Sequence, residues 1–351
     1  MMPVSRWIRR LALAGALLAL CVVVFGAYVR LSAAGLGCPD WPGCYGHLTP
    51  SGAQQNAATA AEFPDKPLNA GKAWREMLHR YAASTLGLIC LGIAFLAVAT
   101  RRTRIVGLGY AFALLGIVVF QGILGMLTVT WQLTPLIVTL HLLFGITTLG
   151  LMWWLFLSVP KHSWGGPRPI GHSSVAATAR PGADAARVLV IVALCVLVLQ
   201  IALGGWTSSN YAAVACPDFP KCQNAWWPHT DYRSAFVLWR GLGTNYEGGV
   251  LDNPARVAID LTHRLGALAA TAALALSAVF TIVRSHRPHA RTAAATVLAA
   301  LALQLSIGIA MVDRGFPLWL ATAHNAGAAL LVMATLALAW SLSGSGQRAA
   351  F

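Results

Sequence analysis

The chain is built from long apolar runs separated by short polar segments. A helix needs about 20 apolar residues, at roughly 1.5 Å of rise each, to cross the hydrocarbon core of a bilayer. Runs of this length lie near residues 8–29, 77–99, 105–129, 134–157, 187–207, 257–283, 292–312 and 317–342. The pattern therefore predicts an all-α polytopic membrane protein with eight transmembrane helices.

Composition supports this class and excludes an ordinary soluble protein. Of the 351 residues, 57% are hydrophobic and only 10% are charged, so a folded chain would expose too much apolar surface in water.

The net charge of +14 follows the predicted topology. Basic residues gather before the first helix, in every second connection and at the end of the chain, and these segments contain one acidic residue, Asp184. The positive-inside rule then places both termini in the cytoplasm. Because membrane topology accounts for the basic residues, we expect no nucleic-acid partner. No cleavable signal or Arg/Ser-rich transit segment precedes the first helix, and we therefore expect a bacterial cytoplasmic membrane.

The two halves of the chain repeat each other at an offset near 180 residues. CPDWPGC at 38–44 matches CPDFPKC at 216–222, the His-Arg pair at 79–80 matches that at 263–264, Gln121 matches Gln304, and His141 matches His324. We therefore predict two four-helix bundle repeats, 1–157 and 187–351, joined by a Pro/Gly/Ser/Ala-rich cytoplasmic linker at 158–186. Because each repeat has an even number of helices, the repeats are expected to be parallel.

Both Pro-containing cysteine loops are expected on the outer side, where thiols oxidise. Their Cys-x5-Cys spacing lets the chain fold back, which predicts disulfides Cys38–Cys44 and Cys216–Cys222. The loops could be structural staples, or the cysteines could have a redox or metal role. Cys21, Cys90 and Cys195 lie singly in apolar runs and are interpreted as core residues.

Four histidines fall within predicted helices, all at a similar depth below the outer face: His79, His141, His263 and His324. One such residue could simply hydrogen-bond a neighbouring helix, but four at matched positions favour metal ligands. Two imidazoles facing each other across a helix bundle are a common ligand pair for haem iron. We expect up to two haem sites near one face, an arrangement that disfavours electron transfer across the membrane. Clustered zinc ligands and a Cys-x-x-Cys-His motif for attached haem are both missing from the sequence.

A carboxylate precedes the first histidine of each half by one helical turn. Glu76 and Asp260 can thus reach the surroundings of His79 and His263, or they can serve the helix dipole or pair with a nearby arginine. Arginines near the outer helix ends are candidates for binding haem propionates, although topology-setting or snorkelling roles are equally open: Arg30, Arg80 and Arg264.

Four long motifs of the chain resemble haem A synthases. They are GAYVRLSAAGLGCPDWPGC at 26–44, EMLHR at 76–80, GGWTSSNYAAVACPDFPKCQ at 204–223 and LTHR at 261–264. The resemblance extends over nearly the whole chain. It implies an oxidoreductase that converts a methyl group of haem O into a formyl group by successive hydroxylations with oxygen from water, giving haem A for terminal oxidases.

The resemblance also implies a division of labour. His79 and His141 would flank the substrate haem O, Glu76 would be the catalytic acid or base, and His263 with His324 would ligate one permanent haem b. The expected partners are haem O, the lipid bilayer and an electron acceptor that the sequence does not identify. The farnesyltransferase that makes haem O and further copies of the chain are candidate partners. A haem-handling carrier or assembly factor without catalysis, and a quinone-linked dihaem cytochrome, remain the alternatives.

Overall fold

A computed structural model describes residues 4–56, 62–64, 66–103, 105–159 and 181–343, the side chains of 181–183 excepted. Within these ranges the chain is helical, with two isolated β-bridges and no extended strand. Eight helices are long and apolar enough to cross a membrane, which confirms the predicted fold class. They are α1 (Val4–Leu31), α2 (Ala70–Ala99), α3 (Leu108–Thr130), α4 (Pro135–Ser158), α5 (Pro181–Ser209), α6 (Asn253–Arg284), α7 (Pro288–Asp313) and α8 (Leu318–Leu342).

Several helices begin earlier than the apolar runs. Helix α2 begins at Ala70, where the Asn69 side chain caps it by accepting a hydrogen bond from the Lys72 backbone N–H at 3.0 Å. Its first two turns contain the charged residues Lys72, Arg75 and Glu76. Because an apolar run cannot include them, the sequence pattern placed the start of this helix too late. Helix α5 likewise begins at Pro181, and residues 160–180 of the predicted linker lie outside the described ranges.

The helix contacts follow the same order in both halves. Each long helix contacts the next one along the chain, and the fourth helix of each half packs back against the first. The halves meet where α1 packs against α8 and where α4 packs against α5 and α8. This order agrees with two four-helix bundles, and their parallel relation stays a prediction.

Small side chains fill much of the space where helices meet. Ala12, Ala16 and Ala19 of α1 are buried, and a methyl group added at Gly15 would lie 2.9 Å from Met152 of α4. Small residues let membrane helices approach closely, since apolar burial alone does not drive their association in lipid. Large apolar side chains such as Leu88, Phe95 and Leu268 point outward instead, as expected for surfaces that face lipid.

Candidate functional site

The two cysteine loops contain the disulfides that the spacing predicts. The Cα–Cα distances are 4.8 Å for Cys38–Cys44 and 4.6 Å for Cys216–Cys222. Cys21, Cys90 and Cys195 are free thiols. Cys90 is buried as expected for a core residue, whereas Cys21 and Cys195 are exposed on their helices.

An aspartate organises each loop in the same way. Asp40 accepts hydrogen bonds from the backbone N–H groups of Tyr45 and Gly46, at 2.6 and 2.9 Å. In the second loop, Asp218 accepts hydrogen bonds from the backbone N–H groups at the equivalent positions, Gln223 and Asn224, at 2.6 and 2.9 Å. Slight burial raises the pKa of Asp218, but these two N–H donors outweigh it and hold the pKa below its usual range. The repeated sequence motif thus folds into one repeated loop structure.

The paired cysteines are expected to be protected from alkylation. In the denatured but unreduced protein, a maleimide reagent should label the three thiols Cys21, Cys90 and Cys195, and prior reduction should raise the count to all seven cysteines. Mass spectrometry of the intact protein measures both counts. Labelling of all seven cysteines without reduction would contradict the assigned disulfides.

An arginine ties each loop to the helix that follows it. Arg80 of α2 donates to the backbone carbonyls of Asp40, Pro42 and Gly43. The equivalent Arg264 of α6 donates to the carbonyls of residues 216, 218 and 221 at 2.7–2.8 Å. These guanidinium groups therefore brace the loops, and a contact of either one with a haem propionate stays a prediction.

The third candidate arginine connects the two halves. Arg30, at the end of α1, donates to the Tyr211 hydroxyl at 2.9 Å and to the Ser208 carbonyl at 3.2 Å. Its guanidinium carbon also lies above the same tyrosine ring, 4.3 Å from the centroid. Arg30 thus links the C-terminal ends of α1 and α5, and propionate binding by it also stays a prediction.

The two carboxylates differ in what they bind. The Glu76 side chain is buried, pairs with Arg80 at 2.5 Å, and accepts a hydrogen bond from the Cys38 backbone N–H at 2.8 Å. Asp260 is also buried and pairs with Arg264 at 2.8 Å. Its other described contacts include no cysteine-loop amide, which fits its shorter side chain. Glu76 therefore joins helix α2, Arg80 and the first disulfide loop in one network.

Each of the four histidines packs against a glycine of the preceding helix. A methyl group added at Gly26 would lie 2.7 Å from His79 Cε1, so a larger residue there would force the imidazole to shift. The corresponding distances for the other three pairs are 3.4 Å for Gly125 with His141, 3.1 Å for Gly204 with His263 and 3.0 Å for Gly308 with His324. On α1, α5 and α7 the glycine leaves a space that the imidazole fills, whereas the distance at Gly125 on α3 is an ordinary contact.

The histidines are paired within each half. His79 is among the ionisable groups near His141, and His324 is among those near His263. All four side chains are half-buried, and the Nδ1 atoms of His79 and His141 are buried without a hydrogen-bond partner among the described residues. Paired, half-buried imidazoles suit a haem iron between them. The described residues contain no group of three or more His, Cys, Asp or Glu that could hold a metal ion.

Sequence reasoning assigned no role to three glutamines and four glycines of this site. The glutamines contact the histidine-bearing helices at the histidine itself: Gln121 with His141, Gln200 with His263, and Gln304 with His324. Each glutamine lies four residues before one of the glycines, so a Gln-x3-Gly spacing ahead of three of the four histidines could have identified them.

An apolar groove lies where the two halves meet. It has a volume of about 510 Å³ and is lined by five residues of α1 and by Thr322 of α8. One lining residue, Phe25, has its ring centroid 6.4 Å from the His79 ring. A second cleft, of about 400 Å³, lies beside the first cysteine loop and includes Trp41, Met77 and Arg80. Both cavities therefore border the elements that surround His79.

Comparison with known proteins gives a consistent result. The family model COX15-CtaA, described as cytochrome oxidase assembly protein, matches residues 9–336. A Heme A synthase of Shewanella oneidensis is 38% identical over 97% of this chain and 98% of its own. Heme A synthases of Rhizorhabdus wittichii and Methylobacterium radiotolerans are 26% and 29% identical, each over 92% of this chain and over 90% and 86% of their own lengths.

Proposed function

Because the chain belongs to the COX15-CtaA family of cytochrome oxidase assembly proteins, we propose that it is a haem A synthase, a membrane oxidoreductase acting on haem O. The observation that carries this proposal is the set of four histidines, paired within each half and each seated against a glycine of the preceding helix. Matched imidazole pairs are the ligands that two iron porphyrins would require.

The first half is proposed to hold the substrate. His79 and His141 would flank haem O, and the apolar groove between α1 and α8 beside Phe25 suits an isoprenoid tail. Burial of such a tail in an apolar groove is favourable because it removes hydrocarbon from water. The second half would hold haem b through His263 and His324. Haem b, when bound, supplies reversible one-electron chemistry close to the substrate.

Glu76 is proposed to handle the protons of the reaction. Each hydroxylation of the methyl group takes its oxygen from water and releases two electrons and two protons to acceptors. A carboxylate within reach of the attacking water can take one of those protons. Arg80 and the Cys38 N–H fix the position of the Glu76 carboxylate, so it needs little reorganisation to act.

The partners follow from the chemistry. Haem O is the substrate, the lipid bilayer surrounds the helices, and an electron acceptor must remove the electrons that leave the methyl group. The farnesyltransferase that makes haem O is a candidate donor of substrate. The cysteine loops and the water that reacts are proposed to lie on the outer side of a bacterial cytoplasmic membrane, with both termini in the cytoplasm.

Co-expression with a source of haem O tests the proposed function. Membranes of a host that lacks its own haem A synthase should accumulate hydroxylated haem O and haem A when this chain is present. Extraction and mass spectrometry of the haems measure the conversion, with an empty vector as the control. Haem O that stays unconverted beside folded, haem-loaded protein would overturn the proposal and favour a haem carrier without catalysis.

A further inference from the structure

Three of the four histidines are braced by a glutamine of the preceding helix. Gln200 Nε2 lies 3.1 Å from His263 Nδ1 and donates to the His263 backbone carbonyl at 3.0 Å. Gln304 Nε2 lies 3.3 Å from both ring nitrogens of His324. Gln121 donates to the His141 backbone carbonyl at 2.9 Å.

Each glutamine fits into the facing helix at a glycine. Residue 266, three positions after His263, is a glycine whose added methyl group would collide with the Gln200 side chain, and Gly327 stands in the same relation to Gln304. In the first half, a methyl group added at Gly145 would lie 3.1 Å from Gln121 Nε2. The brace therefore consists of two matched parts, an amide on one helix and a glycine on the next.

The His79 site lacks both parts of this brace. The residue four positions before Gly26 is Val22, where the other three helices have glutamine. The residues three and four positions after His79 are Ala82 and Ala83, where the other helices have glycine at one of the two positions. Valine cannot donate a hydrogen bond, so position 22 cannot hold His79 as Gln121 holds the His141 backbone carbonyl or as Gln200 and Gln304 hold the other two histidines.

We propose that the glutamines are positioning residues for iron ligation, and that the missing brace makes His79 the ligand that lets go when haem O and its product exchange. This inference rests on the proposed function. A hydrogen bond to a ligating histidine fixes its ring orientation. Gln200 and Gln304 contact the imidazole rings through their amide nitrogens, whereas Gln121 holds His141 through its backbone carbonyl. Two braced histidines in the second half suit a permanent haem, whereas one braced and one unbraced histidine in the first half suit a haem that must leave.

The test transfers the brace between sites in the full-length protein. Val22→Gln combined with Ala82→Gly adds the brace opposite His79, and Val22→Met combined with Ala82→Gly is the control of similar size without an amide. Gln200→Met removes the brace at His263. If this variant does not fold, Gln304→Met, which removes the brace at His324, takes its place. Haem O and haem b are loaded without an added electron acceptor, and their release to excess apomyoglobin is followed by absorption.

We expect the added brace to slow release of haem O about three- to tenfold, with no such effect in the methionine control. Removal of the brace at either histidine of the second half should accelerate release of haem b by a similar factor. It should also shift the largest g value of that haem in electron paramagnetic resonance, because this value reports the orientation and basicity of the axial imidazoles. A merely structural glutamine would leave this signal in place.

The outcomes separate the two proposals. Wild-type protein that is folded but takes up no haem would defeat the proposed function itself. Wild-type sites that fill, together with release rates and g values that do not change in the variants, would overturn the inference about the glutamines alone.

Discussion

A His263→Ala variant is expected to lose the resident haem b and, with it, the conversion of haem O. The imidazole of His263 fills the space beside Gly204 and is braced by Gln200, and its partner His324 cannot provide two iron ligands alone. Loss of groups that only orient a ligand already weakens metal sites about 10- to 100-fold, and loss of the ligand itself should cost more. The absorption spectrum of the purified protein, with the extracted haem quantified, measures the loss.

His229→Ala is the matched control, because His229 is exposed in the segment between α5 and α6 and is not one of the four paired histidines. This control should keep its haem and its activity. A folded His263→Ala protein that retained the haem b spectrum of the wild type would show that the second half does not hold haem through His263.

Glu76→Gln is expected to abolish conversion while haem b remains bound. The glutamine amide can still accept a hydrogen bond from the Cys38 N–H, so the loop should stay in place, but it cannot take up a proton at neutral pH. Removal of a general base typically slows a reaction by about 10²- to 10⁴-fold. Mass spectrometry of extracted haems should therefore show haem O with almost no hydroxylated product.

Asp260→Asn provides the comparison for Glu76→Gln, because Asp260 is equally buried and paired with arginine but lies in the half assigned to haem b. It should retain most of the conversion. A Glu76→Gln protein that forms haem A at the wild-type rate would exclude Glu76 as the proton acceptor.

The sequence predicted the helices well because their signal is local. Eight apolar runs correspond to eight helices, and the errors are confined to ends such as Ala70, where polar residues continue the helix beyond the apolar run. The disulfides were also predictable, because a six-residue separation with internal prolines restricts the loop to a few compact shapes.

The contacts around the site were less predictable. Arg80 and Arg264 were candidates for haem propionates, yet they donate to loop carbonyls, and the positions of such carbonyls depend on the loop conformation rather than on residue type. Gln121 and Gln304 were visible as a repeated pair, but their contacts depend on how neighbouring helices rotate and pack. Gln200 has no counterpart in the first half, so the repeat comparison did not reveal it.

Haem content is the most direct test of the central claim, that one histidine pair in each half binds an iron porphyrin. Wild-type protein purified from cells that make haem O should contain haem b together with haem O or its oxidised products, both low-spin with two imidazole ligands. Chromatography and mass spectrometry of the extracted haems, with the spectrum of the intact protein, give this composition. Folded protein without haem, or with haem that survives replacement of all four histidines, would contradict the account.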